Sequence, residues 1–225
     1  MAAGEGMRLR PLTERWAKPV LPIDGRPVLA TLLRELAAAG FEEVSVVTGH
    51  LAEQVESLVG GGTSFGLEIR FVRQPQPLGS ADAIRRALRK GAKPPLLVTA
   101  ADTVFVPGDI RTAAERWLDS GTVGGLGVRR GGRPNQTPVR VEANRIRELG
   151  APSDHTAAPL WLLSQEITDR LDGVPGPPFE VASAVQDALA AGEEILALEL
   201  GPTRDLTHPA DLLANNFPYL LRWEQ

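Results

Sequence analysis

The feature that most constrains the fold is the alternation of short apolar runs with amphipathic helical patterns in the first hundred residues. Over residues 27–39, leucines recur at i, i+3, i+4 and i+7, which predicts a helix that Gly40 terminates. Strands that alternate with helices are typical of β-α-β units in a parallel sheet, whose ligands bind at the carboxyl ends of the strands. The other elements predicted here are strands at 44–48, 67–72 and 96–99 and helices near 51–58 and 79–90.

The pattern changes from about Gly121 to shorter strand-like runs, which indicate a smaller mixed or antiparallel portion. No linker or internal repeat divides the chain, so we predict a single domain over residues 1–225. The elements predicted in this half are strands at 123–128, 138–142, 146–149, 160–163 and 195–200 and helices at 165–171, 180–191 and 209–223.

Composition excludes several classes of function. The 225 residues carry a net charge of −4 and no block of Lys and Arg, which argues against a nucleic-acid partner. The absence of cysteine removes disulfides, thiolate metal sites and cysteine nucleophiles. No apolar run approaches the roughly 20 residues of a membrane helix, so we expect no membrane association and a cytoplasmic location. A homo-oligomer is compatible with the sequence.

The opening segment AAGEGMRLRPLT, residues 2–13, followed by AKPVLP, residues 17–22, combines a glycine turn with cations. Gly4 and Gly6 would let the backbone approach an oxyanion and turn N–H groups toward it. Arg8 can hold phosphate oxygens with its planar guanidinium, and Lys18 can supply a compact charge. The alternative is a tight turn with solvated cations. We favour a phosphate-binding loop because the glycines, Arg8 and Lys18 occur together in order.

A phosphate-binding loop normally follows a strand, yet only Met1, Ala2 and Ala3 precede Gly4. The expected first strand is therefore missing. A central strand contributes more than the roughly 5–15 kcal/mol by which a typical domain is stable, so its loss needs compensation. We expect either that the natural start lies upstream of Met1 or that the fold replaces the strand.

Two carboxylates follow predicted strands and are candidates for binding a cation. Asp102 comes three residues after the strand at 96–99, and Asp205 follows the strand at 195–200. Both would lie at carboxyl ends of strands, where a hard cation such as Mg²⁺ could bridge them to substrate phosphates. A turn or N-cap role is the alternative for each. Asp211 fits a charge in the first turn of a helix better than a metal ligand.

These motifs resemble the signature of the sugar-phosphate nucleotidyltransferases, of the glucose-1-phosphate thymidylyltransferase and mannose-1-phosphate guanylyltransferase types. The resemblance covers AAGEGMRLRPLT and AKPVLPIDGRPVL, the block QPQPLGSADAI at 74–84, and the regions around Asp102 and Asp205. It implies a Rossmann-like three-layer α/β/α sandwich with a mixed, mostly parallel sheet and a small mixed or antiparallel sugar-side portion. It also implies a nucleotide-binding half at 1–120 and an acceptor-binding half at 121–225.

The resemblance further implies transfer of a nucleoside monophosphate from a nucleoside triphosphate to a sugar 1-phosphate, with Mg²⁺ as cofactor and pyrophosphate as the second product. The residues that it assigns are Arg8, Lys18 and Asp102 for catalysis, Asp102 and Asp205 for the metal, and Ala3, Gly4, Glu5, Gly6, Gln74, Gly79 and Ser80 for the nucleotide. Gln74 and Gly79 would recognise the base, and Ser80 would begin a helix.

The acceptor half departs from the family pattern. Gly150, Ala151 and Pro152 stand where the family has Glu-Lys-Pro, so the lysine that contacts the sugar phosphate is absent. Pro159 replaces an expected glycine, and Glu180 matches a position that can reach sugar hydroxyls. Two alternatives therefore stay open: a non-sugar phosphorylated acceptor, and an inactive nucleotide-binding regulatory protein. A P-loop hydrolase is disfavoured because no Gly-Lys-Ser/Thr follows the glycines.

The three histidines have no metal-ligand spacing and are interpreted as structural.

Overall fold

The computed structural model describes residues 1–131 and 136–217. Most predicted elements of the first half are confirmed within one to three residues at their ends. The α-helices of the described residues are α1 (Val28–Ala38), α2 (Ala52–Val59), α3 (Ser80–Arg89), α4 (Asp109–Leu118), α5 (Gln165–Asp169), α6 (Val181–Ala190) and α7 (Pro209–Asn216). The strands are β1 (Pro22–Ile23), β2 (Arg26–Pro27), β3 (Glu43–Thr48), β4 (Glu68–Arg73), β5 (Leu96–Thr99), β6 (Thr103–Val104), β7 (Gly124–Arg130), β8 (Val139–Glu142), β9 (Arg145–Leu149), β10 (His155–Leu163), β11 (Ile195–Glu199) and β12 (Arg204–Asp205).

The chain forms two compact units. The first, here called the loop unit, comprises Met1–Pro77, Ala100–Gly108 and Thr203–Gln225, and the second, the sheet unit, comprises Leu78–Thr99 and Asp109–Pro202. The predicted division into a nucleotide half at 1–120 and an acceptor half at 121–225 follows different boundaries and stays a prediction.

In the loop unit, β3 and β4 pair in parallel, with Glu43 opposite Glu68 and Thr48 opposite Arg73. The helix α1 packs its leucines into the interior, since Leu29, Leu32 and Leu33 are at most 4% exposed. Gly40 follows the helix with φ 94°, the left-handed conformation that glycine adopts without a steric penalty.

Residues 1–3 take the place of the first strand that the sequence leads us to expect. Ala2 forms a parallel bridge with Thr48 and donates its N–H to the Val47 oxygen at 2.7 Å. On the other side, the Met1 oxygen accepts from the Ala101 N–H at 2.9 Å. The strand position is thus reduced to hydrogen bonds from a few residues, which still connect the end of β3 to the segment before β6.

The sheet unit contains a six-stranded mixed sheet in the order β5-β10-β7-β11-β9-β8. Parallel pairing, which we expected to predominate, occurs in this sheet between β7 and β11, whereas the other four pairings are antiparallel. The β8–β9 pair is antiparallel because a short connection joins the two strands, and Ala143 and Asn144 in it both have positive φ, as in a tight hairpin turn.

Pro159 lies within β10 at the point where its pairing with β7 shifts, between Ala157 and Trp161. Because proline has no N–H to donate, an irregular position in the ladder is where a strand accommodates it best. A large hydrophobic cluster of the sheet unit is contributed by both the sheet and its helices. Its largest fully buried members include Leu126, Ile146, Leu163, Ile167, Leu171 and Ile195.

Several elements were not predicted from the sequence. The helix α4 was missed, and so were the two-residue strands β1, β2, β6 and β12. The predicted helix at 209–223 is observed as α7, which ends at Asn216, and residues 218–223 lie outside the described residues. Asp211 caps α7 by accepting the His208 N–H at 2.7 Å, which confirms its first-turn role.

In the described part of the chain, no helix has both the length and the apolar character needed to cross a membrane.

Candidate active site

The opening loop is built from three 3-10 turns, at Met7–Leu9, Leu12–Glu14 and Lys18–Val20. Gly6 has φ 63° and ψ 37°, and a Cβ there would lie 2.8 Å from Thr13 Cγ2. The Thr13 hydroxyl donates to the Gly6 oxygen at 2.9 Å, which closes the turn. Gly4 is exposed and has no atom within 4 Å of its Cβ position, so its main chain is open to a ligand.

The cations of the loop differ in their surroundings. Arg8 is exposed, whereas the next residue, Leu9, is fully buried. Glu5 forms an exposed ion pair with Arg10 at 3.5 Å. Ala3 is buried, and its oxygen accepts from the His50 N–H at 3.3 Å. The loop is therefore held through Ala3 and Leu9 while Gly4 and Arg8 face solvent.

Lys18 and Asp102, two of the predicted catalytic residues, form an ion pair within the loop unit. Their side chains are 18% and 20% exposed, so the pair is shielded from most of the solvent. Partial shielding strengthens the interaction between charges. An anionic ligand at this point would meet a lysine whose position is already defined by the Asp102 carboxylate.

Asp205 lies beside the same segment. The strands β12 and β6 pair antiparallel, with Asp205 opposite Thr103, the residue after Asp102. The hydroxyl of Thr103 contacts the Asp102 carboxylate at 3.5 Å, and that of Thr207 donates to Asp205 at 3.2 Å. Of the two predicted metal ligands, Asp205 thus lies in β12, and Asp102 immediately precedes β6, the strand that pairs with β12. Across residues 1–131 and 136–217, no group of three or more acidic or histidine side chains is arranged to hold a metal ion.

One hydrophobic cluster explains why these distant segments meet. Each predicted functional segment contributes a buried side chain next to its polar residue: Leu9 beside Arg8, Val104 close to Asp102, and Leu206 beside Asp205. The cluster is completed by Leu21, Ile23 and Val28. Burial of these side chains, worth roughly 1.5–3 kcal/mol each, anchors the polar residues at its surface.

The fold also defines the turn beside this cluster. Asp24 pairs with Arg204, the neighbour of Asp205, and the hydrogen bond from Arg204 lowers the pKa of the Asp24 carboxyl below its usual value. Asn216 donates to the Pro22 oxygen at 2.8 Å and accepts from the Gly25 N–H at 3.1 Å. The β1–β2 turn is therefore connected to the segments around both ends of α7.

The remaining predicted residues belong to both units. Gln74, in the loop unit, is 4% exposed and its N–H donates to the Thr48 oxygen at 2.8 Å. In the sheet unit, Gly79 precedes α3 with φ 102°, and Ser80 begins the helix. The Ser80 hydroxyl donates to the Glu180 carboxylate at 2.5 Å and accepts from the Val181 N–H at 2.8 Å. Ser80 thus connects the start of α3 to the start of α6, and the ligand-binding roles of these residues stay predictions.

Three residues that no sequence motif marked as functional contact the loop, namely Gly49, His50 and Gln54. A Cβ at Gly49 would lie 2.7 Å from the Ala3 oxygen and 2.8 Å from the Gln74 oxygen, so glycine is required for these segments to approach. The position of Gly49 and His50 in the sequence could have indicated such a role, because both follow the carboxyl end of β3, as Asp102 follows β5.

Comparison with known proteins identifies the family. A family model described as nucleotidyl transferase matches residues 1–130, which include the glycine loop, Lys18, Gln74 and Asp102. The chain belongs to the nucleotidyl transferase family. The resemblance drawn from the sequence motifs is therefore confirmed at the level of the family.

Two relatives of this nucleotidyl transferase are named for the reactions that they catalyse. Glucose-1-phosphate thymidylyltransferase of Streptomyces griseus is 26% identical over 227 residues, which cover 96% of this chain and 64% of that protein. CMP-5'-(3-aminopropyl)phosphonate synthase of Streptomyces rubellomurinus is 32% identical over 218 residues, which cover 85% of this chain and 33% of that protein. The chain therefore spans less than two thirds of the length of either relative.

A solved structure confirms the fold class. A UDP-glucose pyrophosphorylase complexed with UDP-glucose has a TM-score of 0.82 and 19% sequence identity, and the match covers 98% of this chain and 97% of that one. At this identity the similarity concerns the fold, and it confirms the Rossmann-like α/β class with a mixed sheet.

Proposed function

We propose that this nucleotidyl transferase joins a nucleoside monophosphate, taken from a nucleoside triphosphate, to a sugar 1-phosphate, forming a nucleoside diphosphate sugar and pyrophosphate. The observation that carries the proposal is the Lys18–Asp102 ion pair beside the open glycine loop, in one unit with Asp205. The name of the Streptomyces griseus relative supports the same reaction.

In the proposed reaction, an oxygen of the acceptor phosphate attacks the α-phosphorus of the triphosphate. A new P–O bond forms, the bond from the α-phosphorus to the bridging oxygen breaks, and pyrophosphate leaves with the electron pair. The attacking oxygen is already ionised at neutral pH, so no general base is required. The protein's task is to position the two phosphates and neutralise their charge.

Three residues of the loop unit would each bind the phosphates in a different way. The main chain around Gly4 would approach the triphosphate, because glycine has no side chain and Gly4 is exposed. Arg8, which is exposed, would bind phosphate oxygens in a fork geometry. Lys18, already oriented by Asp102, would place its charge at the transferring phosphate.

Asp102 and Asp205 fit a magnesium ion by chemistry. Both offer hard carboxylate oxygens, and Mg²⁺ in such sites is bound through one or two carboxylates together with substrate phosphates and water. Two carboxylates on a strand pair are therefore a sufficient protein contribution. When bound, the ion would neutralise charge that develops on the phosphates.

A second acceptor class is favoured by a specific observation. The Glu-Lys-Pro lysine is replaced by Ala151, and one relative is named as a synthase of a CMP-linked aminopropylphosphonate, which is not a sugar. A phosphonate or another non-sugar phosphorylated acceptor would undergo the same displacement. The choice between the two acceptors is the point that the experiment must decide.

The test is pyrophosphate release with Mg²⁺, measured for four nucleoside triphosphates against a panel of sugar 1-phosphates and of short alkyl phosphonates and phosphates. We expect release with one triphosphate and a sugar 1-phosphate. Release with the non-sugar members alone would move the assignment to the second class. Nucleotide binding by calorimetry without any release would instead support a regulatory protein and contradict both transfer reactions.

A further inference from the structure

The side chain of Gln54 makes two hydrogen bonds to the main chain of the opening loop. Its Nε2 donates to the Arg15 oxygen at 2.8 Å, and its Oε1 accepts from the Ala17 N–H at 2.8 Å. Gln54 lies in the first turn of α2, and the two groups that it contacts are two residues apart in the chain. The amide therefore binds the loop as a neighbouring strand would, and its contact ends one residue before Lys18.

Around Ala17 the loop lies outside regular secondary structure, and Gln54 accepts a hydrogen bond from its buried main chain. Ala17 is extended, with φ −60° and ψ 133°, and it lies between the 3-10 turns at Leu12–Glu14 and Lys18–Val20. Ala17 is also 1% exposed, so water cannot replace Gln54 as the acceptor for its N–H. The position of the main chain before Lys18 thus depends on a side chain 37 residues away.

The segment before α2 holds the glycine half of the same loop. His50 Nε2 donates to the Thr13 oxygen at 2.7 Å, and Thr13 in turn donates to the Gly6 oxygen. Between His50 and α2, Leu51 adopts φ 49° and ψ 39°, a left-handed conformation that is uncommon for leucine. Strain of this kind persists where surrounding contacts require it. Here the strained residue lies between His50 and Gln54, the two residues whose side chains contact the loop.

From these contacts we infer that Gln54 is a positioning residue for nucleotidyl transfer: it holds residues 15–17 so that Lys18 reaches the transferring phosphate. The inference rests on the proposed function, because the role of Lys18 does. Gln54 acts through main-chain atoms of the loop, and Lys18 acts through its charge beside Asp102. Misplacement of the loop by a fraction of an ångström to 1 Å would therefore lower the rate of the chemical step.

The test compares Gln54→Met, which keeps the length of the side chain and removes both hydrogen bonds, with Gln186→Met. Gln186 is a matched control, because its Oε1 also accepts a main-chain N–H, that of Leu149 at 3.3 Å, but in the sheet unit. We expect Gln54→Met to lower kcat by about 10–100-fold, with KM for the triphosphate changed by less than about threefold. We expect Gln186→Met to leave both within about twofold of wild type.

Two further variants separate positioning from folding. Gln54→Glu keeps an acceptor for Ala17 and loses the donor to Arg15, so its kcat should lie between those of wild type and Gln54→Met. In a Lys18→Ala background, Gln54→Met should lower kcat by less than about twofold, since the two residues act in one step. A full additional loss in that background would overturn the inference, because Gln54 would then act independently of Lys18.

Amide hydrogen exchange of residues 14–21 provides a readout that does not need activity. We expect faster exchange in Gln54→Met and unchanged exchange in Gln186→Met. Unchanged exchange in Gln54→Met, or an unchanged kcat, would overturn the inference. If wild type releases no pyrophosphate with any substrate pair, the proposed function fails, and the exchange comparison alone decides whether Gln54 holds the loop.

Discussion

The two compact units of this nucleotidyl transferase are stabilised in different ways. The sheet unit has a six-stranded sheet and a large hydrophobic cluster, so many of its backbone groups are paired within strands and helices. The loop unit has one parallel pair of six-residue strands and two pairs of two-residue strands, together with the cluster around Leu9 and Leu206 and the buried leucines of α1. Its long segments are held by individual hydrogen bonds from side chains such as Gln54 and Asn216.

The difference explains where the predicted chemistry lies. Lys18, Asp102 and Asp205 all belong to the loop unit, and so does the open main chain at Gly4. A sheet uses its N–H groups in its own ladder, whereas a loop held by side chains can leave N–H groups available for a ligand. We therefore expect substitutions in the loop unit to affect turnover more than stability, and substitutions in the sheet unit to do the reverse.

The largest effect that we expect is on turnover. Asp102→Asn keeps the shape of the side chain and removes the charge that pairs with Lys18 and would bind Mg²⁺. Pyrophosphate release should fall on the order of 10³-fold, the upper range for loss of one electrostatic contact in an active site. The thermal unfolding midpoint, followed by circular dichroism, should remain close to that of wild type.

Asp172→Asn is the control for the loss of charge, because Asp172 lies in the sheet unit with a side chain that is 92% exposed. Turnover of that variant should match wild type. If Asp102→Asn kept a tenth or more of wild-type activity, the expected contribution of the carboxylate to catalysis would be contradicted, and so would the proposed contrast between the units.

A glycine in the sheet unit should show a large effect on stability. Gly79 has φ 102°, and a Cβ there would overlap the main-chain oxygen of Phe179, whereas Gly150 has φ 90° and open space around its Cβ position. Both Gly→Ala changes introduce backbone strain of about 1–3 kcal/mol. Gly79→Ala should lower the free energy of unfolding by about 1–3 kcal/mol more, because of the added overlap.

Urea denaturation of the two glycine variants measures that difference directly. Equal losses for Gly79→Ala and Gly150→Ala would mean that the contact between Gly79 and Phe179 relaxes without cost, and it would weaken the description of the sheet unit as tightly packed at the start of α3.

The smallest effect concerns an ion pair at the surface of the loop unit. The hydrogen bond from Arg204 lowers the pKa of Asp24, so the charged form of Asp24 stabilises the folded state. That contribution is present above the unfolded-state pKa near 3.8 and is lost as the pH falls through the lower folded-state value. Because both side chains are exposed, Asp24→Asn should cost less than about 1 kcal/mol at pH 7.

Denaturation at a series of pH values checks the sign of this effect. The difference between wild type and Asp24→Asn should be constant from pH 8 to 5 and should shrink below pH 3.8. A difference that grew on acidification would contradict the assigned direction of the pKa shift.

Patterns that are local in sequence were predicted well. The leucine spacing predicted α1, and the apolar run at 44–48 predicted β3, because each element is specified by its own residues. The motifs around Gly4, Lys18 and Asp102 likewise predicted the family before any comparison. The exact pairing of strands was predicted less well, and the expectation of a mostly parallel sheet did not anticipate the antiparallel pairings of β10.

Elements that depend on distant partners were missed. The strands β6 and β12 have two residues each, and neither has an apolar pattern long enough to predict a strand. They exist because Val104 and Leu206 share a buried cluster with Leu9. The helix α4 was missed although its buried residues Ile110, Ala113 and Trp117 have the i, i+3, i+7 spacing of an amphipathic helix.

The sequence by itself determined the family, the order of most helices and strands, and the residue types that could bind phosphate and a hard cation, since all of these are carried by local patterns. Only the tertiary structure decided that Lys18 pairs with Asp102, that Asp205 lies on the strand pair beside it, and that Gln54 holds the loop before Lys18. The physical reason is that these contacts join segments 37 to 102 residues apart, and a local sequence pattern does not specify which distant partner satisfies a given N–H or charge.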